Sequence, residues 1–201
     1  MMTINWDILI STGLGALIGS VLTLIATYVA HKLDRNAVKE NERKLVFGFL
    51  QGVHDEIETL WDNYQEKVGA RVESLQQGQP FQYYWAVTQE YFTIYTENAH
   101  LIGMVDEHDL RKQIVSTYAR AKGLIDSYRL NNELVHKYEQ AALIYAETEE
   151  EAHAQQANAI MQGLVTYAVS LKQSHSEVKS DVNILLRSLR KKGVLANGDN
   201  A

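Results

Sequence analysis

Apolar and polar positions divide the chain into one continuous apolar stretch and several segments with helical periodicity. Residues 8–30 read ILISTGLGALIGSVLTLIATYVA and contain no charged residue. At a rise of about 1.5 Å per residue, a helix of this length crosses a hydrocarbon core of about 30 Å. Trp6 precedes the stretch and Tyr28 lies near its end, where aromatic rings favour the membrane interfaces. The pattern predicts a transmembrane helix over residues 8–30.

A buried core helix and a cleaved signal peptide are the two alternatives for this stretch. A helix in a soluble core rarely needs so long an uncharged run. A signal peptide has a basic segment before a shorter apolar run, but residues 1–7 contain no Lys or Arg. The sequence therefore favours an anchor that stays in the protein.

The charges on either side of the span predict its orientation. The N-terminal side carries only Asp7, whereas five basic residues follow the span: Lys32, Arg35, Lys39, Arg43 and Lys44. Because positively charged flanks stay in the cytoplasm, we expect residues 1–7 outside and residues 31–196 inside. Residues 197–201 read as a flexible polar tail.

Beyond the span, apolar residues recur every three or four positions over residues 45–75, 110–145 and 160–189. This spacing gives a helix one apolar face. Pro80 is the only proline, and together with Gly78 it marks the clearest break in the pattern. The predicted fold class is all-α, with one N-terminal transmembrane helix followed by an elongated bundle of three or four long helices.

A further helix is predicted directly after this break: it begins at Pro80 and contains an aromatic segment, residues 81–95, with seven aromatic side chains. Their β-propensity makes a strand the alternative, but Trp85, Thr88 and Phe92 follow helical spacing. Large rings with polar tips suit a partner interface, although such a stripe is more often core. The predicted interface residues are Tyr84, Trp85, Tyr91, Phe92 and Tyr95.

Two other groups of residues indicate contacts. Ser11, Gly15 and Gly19 repeat every four residues within the span, which favours close packing of helices in lipid, although glycine is common in such helices anyway. A homo-oligomer or a complex with a partner protein is therefore expected. The basic cluster, Arg187, Arg190, Lys191 and Lys192, fits phosphates of lipid or nucleic acid, but stabilisation of a helix end explains it better.

Net charge and missing motifs exclude several function classes. A net charge of −6 argues against a strongly basic nucleic-acid binder, so nucleic acid is expected only within a larger complex. The chain lacks cysteine and has no phosphate loop, dinucleotide fingerprint or nucleophile elbow. Two pairs at helical spacing, His54 with Glu58 and Glu149 with His153, lack further metal ligands. We expect no enzyme, cofactor, metal site or small-molecule substrate.

Residues 98–132, NAHLIGMVDEHDLRKQIVSTYARAKGLIDSYRLNN, resemble a segment of uncharacterised bacterial single-pass membrane proteins. The resemblance covers about a sixth of the chain and includes no catalytic motif. It implies a helical protein of unassigned activity. Small anchored proteins of this general appearance also occur as membrane effectors beside retron and abortive-infection antiphage systems. Within the segment, Arg129, Asn131 and Asn132 can form side-chain hydrogen bonds at a helix irregularity.

Two functions remain open from the sequence. The first is a non-enzymatic, membrane-anchored interaction protein, with a self-associating effector that perturbs the inner membrane in antiphage defence as its specific form. The second is a membrane scaffold or sensor that recruits a soluble protein or nucleoprotein partner. Membrane lipid is an expected partner in both.

Overall fold

The computed structural model describes the backbone of residues 6–87 and 91–194, and the side chains of residues 23–87 and 91–194. Its elements are helices, in chain order α1 (Trp6–Tyr64), a π-helical segment (Gln65–Gly69), α2 (Ala70–Ser74), α3 (Thr93–Glu97), α4 (Ala99–Ile102), α5 (His108–Thr148) and α6 (Glu151–Lys191). No strand occurs in the described part of the chain, which confirms the all-α class.

Three long helical segments form the core: α5, α6 and the part of the chain from Val46 to Ser74. Each contributes one apolar face, as the periodicity predicted. From the first segment, Val53, Val68 and Val72 are fully buried. They join one hydrophobic cluster with residues of α5 and α6, among them Ile114, Tyr118, Tyr128, Leu171, Val182, Leu185 and Leu189.

The prediction of a helix that begins at Pro80 and contains the aromatic segment is wrong. Residues 81–87 have no regular secondary structure, and a helix of only five residues, α3, begins at Thr93. Side-chain hydrogen bonds replace the helical ones, because the Asn132 amide bonds to both the N–H and the C=O of Trp85, at 3.2 and 2.7 Å. Asn131 Nδ2 donates to the Phe81 carbonyl at 3.1 Å. Asn131 and Asn132 do form side-chain hydrogen bonds, as predicted, but the helix that carries them, α5, has no irregularity at that point.

The chain divides into two compact units, Met1–Leu45 and Val46–Ala201. Within the first, every side chain from residue 23 to residue 45 is exposed. Among the side chains that the structure describes, no helix has the length and apolar character that a membrane crossing requires. Most of the predicted span, residues 8–22, lies outside those side chains, so the span stays a prediction; the tail, residues 197–201, is also outside the described part.

Candidate functional site

A cavity of about 160 Å³ lies in the second unit, between the Val46–Tyr64 part of α1, the aromatic segment, α5 and α6. Its walls are mostly apolar, with aliphatic residues such as Ile57, Leu124 and Val182 beside five aromatic rings. We call it the aromatic cavity, after the rings of Trp61, Tyr64, Trp85, Tyr91 and Phe92. Asn63 and Lys67 also contribute to the lining and are exposed, so the cavity reaches the surface.

The π-helical segment Gln65–Gly69 follows directly on the helix that supplies Trp61 and Tyr64. Single π-helical turns within α-helices are rare and occur frequently at functional sites. A Cβ atom at Gly69 would overlap the end of the flexible Gln65 side chain, which would then have to move. The Gln65 amide donates from Nε2 to Glu73 Oε1 at 2.9 Å. The turn thus supplies one of the hydrogen bonds that position Glu73.

A network of polar groups, which runs from the buried Tyr64, Tyr128 and His175 to the exposed Glu73 and the partly exposed Lys179, fixes the Tyr64 hydroxyl. The Tyr64 hydroxyl lies 2.9 Å from the Tyr128 hydroxyl and 2.6 Å from His175 Nδ1. His175 Nε2 lies 2.9 Å from Glu73 Oε1, which also accepts from Lys179 Nζ at 2.7 Å. A carboxylate only accepts, so Nε2 carries the proton, and Nδ1 of a neutral imidazole accepts from Tyr64. The Tyr64 oxygen then accepts from Tyr128.

The surroundings of these groups shift their pKa values so that, at neutral pH, the His175 imidazole is neutral and the Glu73 carboxylate is ionised. Burial lowers the pKa of His175, and the opposing effect of Glu73 is smaller. Hydrogen bonds from Lys179, then Gln65 and His175, lower the pKa of Glu73 to about 2. Burial raises the pKa of both Tyr64 and Tyr128, so both phenols stay protonated at neutral pH. The network fixes the Tyr64 ring with a neutral histidine and an ionised carboxylate.

Acidification should therefore destabilise the helical domain in two stages. Below the ordinary histidine pKa of about 6.5, the unfolded chain binds a proton at His175 that the folded chain does not. The free energy of unfolding therefore decreases as the pH is lowered. Glu73 adds a second loss below its ordinary pKa of 4.5, continuing toward 2. Chemical unfolding at pH 7 and pH 5 measures the first stage. His175→Gln should reduce the difference in unfolding free energy between pH 7 and pH 5. His136→Gln, on the exposed part of α5, should leave that difference unchanged.

A second polar group fixes the end of the aromatic segment. The Glu56 carboxylate accepts from the backbone N–H of Ile94 at 2.7 Å and of Tyr95 at 3.2 Å, and from the Tyr118 hydroxyl at 2.7 Å. It thereby satisfies free N–H groups at the start of α3. The preceding residue, Phe92, has a left-handed backbone with φ of 74°, which is unfavourable for a bulky side chain. Glu56 holds the chain in that conformation.

The predicted interface residues divide into one exposed ring and four that pack inward. Tyr84 is 64% exposed. Phe92 is buried and meets Tyr118 edge to face at 5.2 Å between ring centroids, and Tyr95 stacks on the same ring at 3.9 Å. Trp85 packs edge to face on Tyr128 at 4.8 Å, while Tyr91 is partly buried and lines the cavity.

The predicted basic cluster does not act as one patch, because two of its four members are paired within the chain. Arg190 Nη2 lies 2.5 Å from Glu58 Oε1, and its Nε donates to His54 Nε2 at 3.3 Å. Lys192 pairs with Glu107. Arg187 and Lys191 are exposed and form no ion pair with the described residues. Only these two remain available for phosphates.

The two histidine–glutamate pairs do not line the aromatic cavity. His54 is buried and bonds through Nδ1 to Asp55 at 3.1 Å, with Glu58 at 3.9 Å, while His153 approaches Glu150 at 3.9 Å. No group of side chains in the described part could hold a metal ion. Ser11, Gly15 and Gly19, the predicted packing residues of the span, lie outside the described side chains.

Sequence reasoning missed the aromatic cavity and the network behind it. Tyr64, Tyr128 and His175 are 64 and 47 positions apart along the chain, and each follows the apolar spacing of its own helix. The signal available was a polar residue, His175, at a position where α6 periodicity calls for an apolar one.

No protein-family model, curated protein or solved structure matches this chain. The resemblance of residues 98–132 to bacterial membrane proteins therefore remains a hypothesis.

Proposed function

We propose that this chain is a membrane-anchored, non-enzymatic interaction protein of the bacterial inner membrane. Its N-terminal helix anchors it, its helical domain lies in the cytoplasm, and several copies assemble through the glycine-containing face of the span. In its specific form, the protein is an effector of antiphage defence that perturbs the membrane once it has assembled.

One observation carries the proposal: the apolar side chains at the end of the predicted span are exposed along α1. Leu24 and Tyr28 are each 70% exposed, and Ile25 is 55% exposed. Exposed apolar surface that is continuous along a helix favours transfer out of water, into lipid or against another chain. The cationic residues from Lys32 to Lys44 follow on the same helix, where they suit anionic headgroups.

Leucine in place of both Gly15 and Gly19 tests the assembly. Bulky side chains at these positions would separate backbones that pack closely in lipid. We expect the unsubstituted chain to cross-link into oligomers in membranes and to depolarise cells on overproduction, and the double variant to lose both properties. Cross-linking and a membrane-potential dye measure them.

The matched control replaces Gly123 and Gly163 with leucine, because both lie on exposed helix surfaces with open space for a side chain. This control should keep both properties. Oligomers that persist in the Gly15 and Gly19 variant would contradict packing through the glycines. Oligomers without depolarisation would contradict the effector form.

Exposed apolar residues at the end of α5 favour the second candidate function, a scaffold or sensor. Leu143 is 64% exposed, and Ile144 and Tyr145 follow at 44% and 43%. Such residues suit a soluble partner protein. A specific complex with the product of an adjacent gene, retained by residues 44–201, would support recruitment; a pull-down without a specific protein or nucleoprotein would count against it.

A further inference from the structure

We propose that the aromatic cavity binds a small aromatic molecule with one ring or two fused rings and one anionic group. This inference goes beyond the proposed function, because it assigns a ligand to the helical domain. It rests on the size of the cavity, the rings in its walls and Lys67, the one cation among the lining residues that the structure describes.

The size of the cavity limits the ligand. Its volume of about 160 Å³ is close to that of an engineered apolar cavity of about 150 Å³ that stays dry and binds benzene. Cavities that take drug-sized ligands start near 300 Å³. The space therefore fits one small molecule.

The walls favour an aromatic ligand. Rings of Trp61, Tyr64, Trp85, Tyr91 and Phe92 line the cavity, and aromatic pairs gain stability in edge-to-face or offset arrangements beyond the burial of their area. Three of these rings are held by contacts outside the cavity. Trp85 packs on Tyr128, Trp61 stacks on His175, and Phe92 packs on Tyr118. The walls are thus formed before the ligand arrives, which reduces the entropic cost of binding.

The charge of the ligand follows from Lys67. This lysine lines the cavity and forms neither an ion pair nor a hydrogen bond with the described residues. By contrast, Lys179 and Arg190, on the neighbouring α6, are paired with Glu73 and Glu58. A cation without an ion-pair partner among the described residues, beside an apolar space, favours an anion at the cavity mouth.

Tryptophan fluorescence gives a direct test with benzoate as the probe. The chain has three tryptophans, Trp6, Trp61 and Trp85, so in full-length Trp6→Phe protein only the two cavity tryptophans report. We expect a saturable change with benzoate and weaker binding of benzyl alcohol and of cyclohexanecarboxylate. Tryptophan fluorescence is excited at a wavelength at which none of the three probes absorbs, so that the change reports binding.

Variants in the same background locate the site. Lys67→Gln should weaken benzoate about fivefold, the effect of one exposed ion pair, and leave benzyl alcohol unchanged. Lys137→Gln removes an equal charge from the exposed part of α5 and should have no effect. Ala121→Leu fills part of the cavity and should abolish the signal.

Four results would overturn the assignment, and the first three concern affinities. They are no saturable change with benzoate, equal benzoate affinity in the Lys67→Gln and Lys137→Gln proteins, and cyclohexanecarboxylate binding as tightly as benzoate. Persistence of the signal in a folded Ala121→Leu protein would place the probe elsewhere and overturn it too. The two lysine variants change exposed side chains, so the test stands even if Ala121→Leu does not fold. None of these outcomes depends on membrane assembly.

Discussion

Replacing Glu56 with alanine is expected to lower the free energy of unfolding by about 3 kcal/mol. The change removes the acceptor of three hydrogen bonds, from Ile94 N–H, Tyr95 N–H and the Tyr118 hydroxyl. Tyr118 is fully buried, so its hydroxyl would lose its partner away from water, and such a loss costs the full desolvation of the group. The left-handed backbone of Phe92 would also lose the bonds that hold the following turn.

Glu58→Ala is the matched control, because it replaces the same residue type on the same helix. The Glu58 partner is Arg190, and both side chains are substantially exposed, at 40% and 51%. An exposed ion pair contributes about 1 kcal/mol or less. Guanidinium unfolding of the detergent-solubilised chain, followed by far-ultraviolet circular dichroism, compares the two. Equal losses in both variants would contradict the role assigned to Glu56.

The three long helical segments of the core could be predicted from the sequence, because apolar spacing alone determines which face is buried. Val53 and Val72 on the first segment, and Leu185 on α6, all lie at predicted apolar positions and are buried. The one proline, Pro80, lies outside these segments, so proline breaks none of them. A local periodic pattern is sufficient where a helix buries one continuous stripe.

The conformation of the aromatic segment could not be predicted this way, because it depends on residues far along the chain. Asn132 lies 47 positions from Trp85, and Glu56 lies 38 positions from Ile94. These side chains supply the hydrogen bonds that a helix would otherwise make internally. The rings then pack on Tyr118 and Tyr128, so tertiary contacts override the helical spacing.

The candidate site could not be predicted from the sequence either, since its residues come from all three long helical segments of the core. The sequence shows neither that Lys179 pairs with Glu73 nor that Lys67 has no ion-pair partner among the described residues. The basic cluster shows the same limit, because Arg190 and Lys192 lie close in sequence to Arg187 and Lys191 but contact carboxylates on other segments. Charge patterns locate cations; the fold decides which are available.

The second large effect is expected from charges placed in the predicted span. Lysine in place of both Leu17 and Leu22, near the middle of residues 8–30, should remove the chain from the membrane. Each lysine near the centre of a membrane helix costs about 3 kcal/mol on insertion scales, and no second span in the described chain could compensate. Lysine in place of Leu143 and Val169, exposed on α5 and α6, is the matched control.

The most direct test of the anchor is the fraction of the chain that stays with membranes after an alkaline carbonate wash. We expect the unsubstituted chain and the Leu143, Val169 control to remain in the membrane pellet, and the Leu17, Leu22 variant to move to the supernatant. Release of the unsubstituted chain by the wash would contradict an integral anchor. Retention of the Leu17, Leu22 variant would contradict an anchor formed by residues 8–30.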